Sequence, residues 1–518
     1  MNQTDGPAAS ARQASVASVA QPSALTVARP DRLPVAVWLV ATAFVAVELA
    51  VSGRYGFQQD ELYFIVAGHH LAFGYVDQPP IGPLLTRVTD ILGVNPTAVR
   101  IAPALAGGAT VLMAGKLAAI FDAGRTGRVI AALAVACAPV LIGSDHVGNT
   151  TPLDLLAWTA VVLCICIALL RDRPRWWLLG GAAAGLGLES DNLVILLLIA
   201  IFIGILGSAQ RGVLRTVWPW LGAAIAAVIW APNLAWQATH GWPQLAMSAA
   251  LHNENTSPAD YAGVVPAQLV YAGLLVTPLL VAGFVRLWRT AELRFIAIAT
   301  VLVAGYVVAW VPGKVYYADG MLAPVLAAGA AAAEGWIRRG GSRARLRRGL
   351  LIAAPLVGVV FALPLVLPLV PASVERSLPA TAQKSDVGDS IGWPQLTATI
   401  AAQEKALTQA GERPTSIFTG YYPEAATLDV LGTRDHLPPV LSGHNAYWMW
   451  GPGNASDRTV LAVDAISTLR PYFGSCRLLT TYYAPDKVDN DWTGIPIGVC
   501  TSPTGSWRAL WPKLKLYG

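Results

Sequence analysis

Apolar residues in this chain come in long unbroken runs rather than in alternation. Runs of roughly 17 to 25 residues, each long enough to carry a helix across about 30 Å of hydrocarbon, recur along most of the sequence. They predict helices near 34–52, 98–120, 128–143, 154–170, 176–188, 193–208, 217–232, 266–286, 294–311, 320–336 and 350–370, eleven spans in all. The polar break from Glu189 to Asn192 leaves a second option for its flanks, one broken or re-entrant element in place of two spans.

After about Pro371 the pattern changes. Short β-rich runs such as SIFTGYY and TVLAVDAI, interleaved with helical stretches and Gly/Pro turns, predict a small α/β domain over 371–518. Residues 1–33, rich in Ala, Ser and Gln, predict a disordered cytoplasmic tail rather than a cleaved signal. The expected fold is an all-α polytopic membrane domain over 34–370 followed by that α/β domain.

Composition agrees. Only 13% of residues are charged and 54% are hydrophobic, where about a quarter charged is normal for a soluble protein. The net charge of +5 is modest and its basic residues cluster between apolar runs, which argues for membrane orientation and against nucleic-acid binding. One set of alternate loops holds nineteen Lys and Arg, six of them between Arg338 and Arg348, whereas the opposite set holds Arg54, Arg87, Arg100 and Lys314. That asymmetry predicts a multi-pass protein of the cytoplasmic (inner) membrane with its N-terminus on the cytoplasmic side. The loops 53–99, 144–153, 233–265 and 312–319, and the C-terminal domain, then lie outside. Cys137, Cys164 and Cys166 fall in apolar runs and pack as small hydrophobes; Cys476 and Cys500 are alone in the polar part and suggest a disulfide made in an oxidising compartment.

Candidate chemistry concentrates in the first outer loop, where YGFQQDELYF sets Asp60 beside Glu61. Leu62, Ile65, Val66, His69 and Phe73 recur at helical spacing, which predicts a helix over 60–73 lying along the outer interface. Adjacent helical residues point about 100° apart, so the two acids have different roles. Asp77 follows in GYVDQPP, and Asp145, His146 and Asp154 in GSDHVGNTTPLD. A carboxylate at the membrane surface suits a general base, with burial raising its pKa. The competing reading makes these acids solvated loop residues or helix caps, Asp60 and Asp154 in particular. His69, His70 and His146 lack HxxxH or HxH spacing, so no metal site is assigned.

Here the residues carry a resemblance. QQDELYF, GYVDQPP, the Asp145 loop, GKVYYAD at 313–319 and SGHNAYWMWGP at 442–452 resemble bacterial family-39 glycosyltransferases. These are relatives of protein O-mannosyltransferases and of the lipid A aminoarabinose transferase, with the GT-C fold. The resemblance implies transfer of a sugar from a polyprenyl-phosphate carrier to an acceptor hydroxyl on a protein, lipid or cell-wall glycan, outside the cytoplasmic membrane and with inversion. It implies Asp60 as the base and Glu61 as the acid that orients the loop, with Asp145 in preference to Asp154 as a second acid. No cofactor is required, a divalent cation being an optional aid. The carrier's phosphate needs a cation at the interface, for which Lys314, ahead of Tyr316 and Tyr317, is preferred over Arg100 and Arg87. Asp77, Gln78 and His146 join the substrate-binding candidates, and Tyr447 and Trp448 offer aromatic faces to sugar rings. Gln78 stands where the aminoarabinose branch carries a lysine, and Ser190-Asp191 where many relatives have Ser/Thr-Lys. Two phosphate-side cations of the family are thus missing.

A secondary transporter of a small or lipid-linked solute is the rival class. Transport couples through ionisable groups near the bilayer midplane, and here the acids sit in loops on one side. No phosphate-binding glycine loop of the P-loop or dinucleotide type occurs.

Overall fold

The computed structural model describes residues 32–378, 385–453, 456 and 458–518; the tail expected to be disordered falls at 1–31, outside the described residues. Every one of the eleven apolar runs is helical. In chain order the helices are α1 (Val35–Val51), α2 (Gln59–His69), α3 (Ile81–Thr89), α4 (Pro96–Ile120), α5 (Arg125–Ala136), α6 (Pro139–Asp145), α7 (Thr151–Leu170) and α8 (Trp176–Leu188). There follow α9 (Val194–Leu206), α10 (Trp218–Thr239), α11 (Pro243–Glu254), α12 (Pro258–Ala272), α13 (Thr277–Arg289), α14 (Arg294–Trp310), α15 (Leu322–Arg338) and α16 (Ala344–Val366).

Two of the runs are broken where their sequences require it. Pro139 cannot continue α5 and opens α6 instead, and the two helices meet at 57°. Gly273, at φ 93°, ends α12, and Pro278 stands in the first turn of α13, the bend there being 85°. By length and apolarity alone, five described helices qualify to cross a membrane, or up to eight if each bent pair counts as one span. α1, α8 and α14 are apolar but shorter, so helix length alone does not establish the number of crossings. The flanks of Glu189 to Asn192 are two elements, since α8 packs on α7 and α10 while α9 packs on α14.

Without a hydrophobic force between helices in lipid, association rests on close packing of small residues. α13 and α15 show this: a Cβ on Gly283 would meet the Val325 carbonyl, and one on Gly329 the Leu279 carbonyl.

The C-terminal part is the expected α/β domain. Its strands β1 (Ser416–Thr419), β2 (Val440–Ser442), β3 (Thr459–Val463), β4 (Phe473–Tyr482) and β5 (Ile495–Pro503) form one sheet in the order β2-β1-β3-β5-β4. β1 runs parallel to β2 and β3, and β5 runs antiparallel to β3 and β4. Cys476 and Cys500 sit opposite each other on β4 and β5 and are bonded. The helices α17 (Trp393–Gln409) and α18 (Tyr422–Leu431) pack with the sheet.

One core is shared between this domain and the first outer loop. Leu62, Tyr63, Phe64, Ile65 and Val66 of α2 pack in the same buried cluster as Trp393, Leu396, Ile417, Ala425 and Leu461. This corrects the expectation for α2. The helix ends at His69, every residue from Glu61 to Gly68 is buried, and Phe73 lies beyond it with 65% exposure. It is not an amphipathic helix on the membrane surface, because α18 covers the side that interfacial water would otherwise wet.

Gly283→Val is expected to destabilise the helix assembly by at least about 1–3 kcal/mol through overpacking against the Val325 carbonyl. A lowered unfolding midpoint of the detergent-solubilised protein checks it, against Gly305→Val, where nothing stands within 4 Å of the added group.

Candidate active site

The start of α2 is built from its own sequence. Gln58 caps the helix: its side-chain oxygen accepts from the Asp60 amide at 2.6 Å, and its own amide donates to Glu61 Oε2 at 2.8 Å. Asp60 and Glu61 then stand in the first turn, where the helix dipole favours negative charge, and they diverge.

Glu61 turns inward and is fully buried. Arg100 from α4 grips it with two hydrogen bonds, Nε to Oε1 at 2.7 Å and Nη2 to Oε2 at 2.9 Å, and the Gly148 amide donates to Oε1 at 2.9 Å. Arg100 also donates to the Ser52 carbonyl at 2.6 Å and the Gly56 carbonyl at 2.9 Å, and reaches His146 Nε2 at 3.3 Å. All five guanidinium donors are thereby used. Because Arg100 can only donate, His146 Nε2 is the acceptor, so Nδ1 carries the proton and donates to Glu48 Oε2 at 3.1 Å. Arg100 and His146 therefore hold Glu61, the Gly148 turn and the loop before α2 together. They face no opening, which corrects their placement among the substrate-binding candidates.

Asp60 turns the other way and is partly open on one side, with protein enclosing the rest. Its Oδ1 accepts from the Tyr422 hydroxyl at 2.7 Å, and the Asn149 amide also bonds to it. Burial raises its pKa above the ordinary carboxylate value, helped by the charge of Glu61 and opposed by the Tyr422 bond, by Lys314 and by Asn149. Asp77 lies near enough to feel the charge of Asp60. It accepts from the Tyr63 hydroxyl and the Asn445 amide, each at 3.1 Å, and burial pushes it up to about 7. Asp386, bonded to the Gln58 amide at 3.0 Å, is the third carboxylate in range of Asp60.

Lys314 is half-buried at the head of the turn Val315–Met321. Its charge acts on both Asp60 and Asp386, and it has no ion pair among the described residues. Tyr316 and Tyr317 follow it with ring centroids 4.8 Å apart in an edge-to-face pair. Arg87, the other alternative, is exposed and bonded to Asp90 at 2.8 Å.

The remaining expected site residues lie elsewhere. Asp145 is wholly buried against Gly107, on the last turn of α6, with no hydrogen-bond partner among the described residues; it does not join Asp60. Asp154 accepts from its own helix's Trp158 Nε1 at 2.7 Å. Gln78 is buried, its amide nitrogen without a partner among the described residues. Tyr447 is in the shared core and donates to Asp429 at 2.7 Å, while Trp448 and Trp511 each donate an indole N–H to the other's carbonyl, at 3.1 and 2.8 Å. Tyr447 is thus packed inside the C-terminal domain, and Trp448 is partly buried there.

Tyr422, Asn149, Asn445 and Asp386 were missed. Tyr422 closes the run SIFTGYY and Asn445 lies inside SGHNAYWMWGP, so both were in view, but only the fold brings them to Asp60 and Asp77. Among the described residues, no group of three or more His, Cys, Asp or Glu is arranged to hold a metal ion.

Residues 77–236 match the family model described as dolichyl-phosphate-mannose-protein mannosyltransferase. No curated protein matches the chain. Among solved structures, ArnT from Cupriavidus metallidurans in the apo state is similar at 15% identity and a TM-score of 0.58, over 89% of this chain and 97% of that one. The same protein bound to undecaprenyl phosphate gives 16%, 0.56 and the same coverages. The archaeal oligosaccharyltransferase AglB from Archaeoglobus fulgidus, in complex with an inhibitory peptide and a dolichol-phosphate, gives 12% and 0.50 over 91% of this chain and 75% of that one. The fold is therefore that of the GT-C membrane glycosyltransferases. The match within it supports a family-39-like member of that class, the group that the motifs resembled.

Removing one partner of a buried ion pair leaves an uncompensated charge and costs about 3–5 kcal/mol. Arg100→Met is thus expected to lower the unfolding midpoint in detergent sharply, and Arg100→Met combined with Glu61→Leu to recover part of the loss.

Proposed function

We propose that the chain moves a sugar from a polyprenyl-phosphate carrier to an acceptor hydroxyl at the outer face of the cytoplasmic membrane, with Asp60 as general base. The observation that carries this is the unequal fate of the two adjacent acids. Glu61 is consumed by Arg100, whereas Asp60 keeps an open side next to Lys314, which has no ion pair among the described residues.

The chemistry follows from that arrangement. The acceptor's O–H proton passes to the Asp60 carboxylate as its oxygen bonds to the anomeric carbon. The bond from that carbon to the phosphate oxygen breaks, and the polyprenyl phosphate leaves with its developing charge beside Lys314. A single displacement of this kind inverts the anomeric centre. The absence of two family cations at Gln78 and Asp191 puts the phosphate's neutralisation on Lys314, which Tyr316 and Tyr317 follow in the chain. ArnT of known structure binds undecaprenyl phosphate, which supports a prenyl carrier here, and the excess of Lys and Arg in alternate loops supports the outward orientation.

Asp60→Asn is expected to lower transfer by at least about 10²-fold, the usual worth of a general base being 10²- to 10⁴-fold, and Lys314→Met to lower it about 10²- to 10³-fold. The assay compares glycolipids and glycoproteins of a deletion strain complemented with each variant; undiminished glycosylation by Asp60→Asn ends the assignment. A base must be ionised to act, and burial raises the Asp60 pKa. Activity should therefore fall as pH drops through a value above the ordinary carboxylate range, which a pH–rate profile of the wild type would show.

A further inference from the structure

The sheet of the outer domain points its functional end at the membrane loop. In open α/β sheets, ligands and catalytic groups gather beyond the carboxyl ends of parallel strands. Here Tyr422 comes three residues after the end of β1, and His444 and Asn445 come two and three residues after the end of β2. The Tyr422 amide donates to His444 Nδ1 at 3.1 Å and the two rings stack at 5.2 Å, so the second strand fixes the residue that follows the first. On its other side the Tyr422 ring lies 4.6 Å from Tyr63 of α2, whose hydroxyl accepts from the Ala446 amide at 3.2 Å. With its ring packed against His444 and Tyr63, Tyr422 donates its hydroxyl to Asp60 Oδ1 at 2.7 Å.

We infer that Tyr422 is the positioning residue of the Asp60 carboxylate, and that the C-terminal domain is an integral part of the reaction centre rather than an acceptor-selecting accessory. The inference rests on the reading of Asp60 as the base. A phenol hydroxyl can donate to the carboxylate but gains nothing from the protonated acid's lost charge, so it favours the ionised, proton-accepting form. It also ties Oδ1 to the C-terminal domain, at 2.7 Å. Charges facing the carboxylate come from each element around it. Glu61 lies on the same helix, Lys314 ahead of the Val315–Met321 turn, Asp77 after α2 and Asp386 in the segment before α17; Asn149 is the neutral donor. Of these, Tyr422, Lys314 and Asn149 favour ionisation while the acids oppose it, and Tyr422 is the one that the outer domain supplies.

The test reads the protonation of Asp60 in the full-length protein and needs no substrate. Dicyclohexylcarbodiimide adds to protonated carboxyls, so labelling of the Asp60 peptide, followed by mass spectrometry across pH, gives a midpoint, and Asp60→Asn identifies the signal. Tyr422→Phe keeps the ring and its stacking and removes only the hydroxyl. Its midpoint is expected at higher pH than the wild type's, and the acid limb of its transfer profile should move the same way. The rate deficit should grow from within about threefold at the alkaline plateau to tenfold or more on the acid limb. Genetically encoded 3-fluorotyrosine at 422, a more acidic phenol and a stronger donor, should move the midpoint to lower pH, and it serves if the Phe variant does not accumulate. Tyr421→Phe, on an exposed neighbour, should change neither. Coincident midpoints for wild type, Phe and fluorotyrosine forms overturn the inference, as does a pH-independent loss of rate in Tyr422→Phe. An active Asp60→Asn sinks the base assignment instead, while the labelling midpoints still report on the Tyr422 bond.

Discussion

The buried bond between Glu61 and Arg100 is the constraint on which the arrangement around Asp60 depends. It links the start of α2 to α4, engages the Gly148 turn, and through His146 reaches Glu48 at the end of α1. Two charges in so dry a place are tolerated only with every lone pair and proton matched, and here the guanidinium meets five acceptors while the carboxylate accepts also from the Gln58 and Gly148 amides. Because the pair is complete, it has no capacity left for a substrate. Its effect is to fix the direction of the neighbouring residue, and a division of labour between adjacent acids follows from helix geometry.

The second layer of organisation is the core shared between α2 and the outer domain. A helix that reads as amphipathic in isolation is buried on all sides once α18 covers it, so the outer domain and the first loop cohere as one packed body. This explains how Asp60 is enclosed on all sides but one. The C-terminal domain helps to enclose Asp60 and supplies one of its two hydrogen-bond donors, Tyr422, the other being Asn149.

Much of the fold was legible because hydropathy is a local signal. The eleven apolar runs became helices, and SIFT and TVLAV became β1 and β3. What failed was whatever needed partners. The bends at Pro139 and Gly273 lie inside runs predicted as single spans, and the number of crossings does not follow from the lengths of α1, α8 and α14. At the site, Asp60 and Glu61 stood out as adjacent acids in a charge-poor chain. Arg100 carries no local mark that its guanidinium is spent, since Glu61 is 39 positions away. Tyr422 is 362 positions from Asp60, and no spacing rule spans such a distance. Asp145, by contrast, looked like its counterpart because it shares the outer side of a membrane segment; it faces Gly107 instead.

The covalent cross-link of the sheet stands well away from this machinery. Cys476 and Cys500 tie β4, an edge strand, to β5, whereas Tyr422 and Asn445 leave β1 and β2 at the opposite margin. Reduction of that bond would loosen the β4 margin of the sheet, whereas the margin nearest Asp60 is held by noncovalent packing, the Tyr422–Asp60 hydrogen bond included.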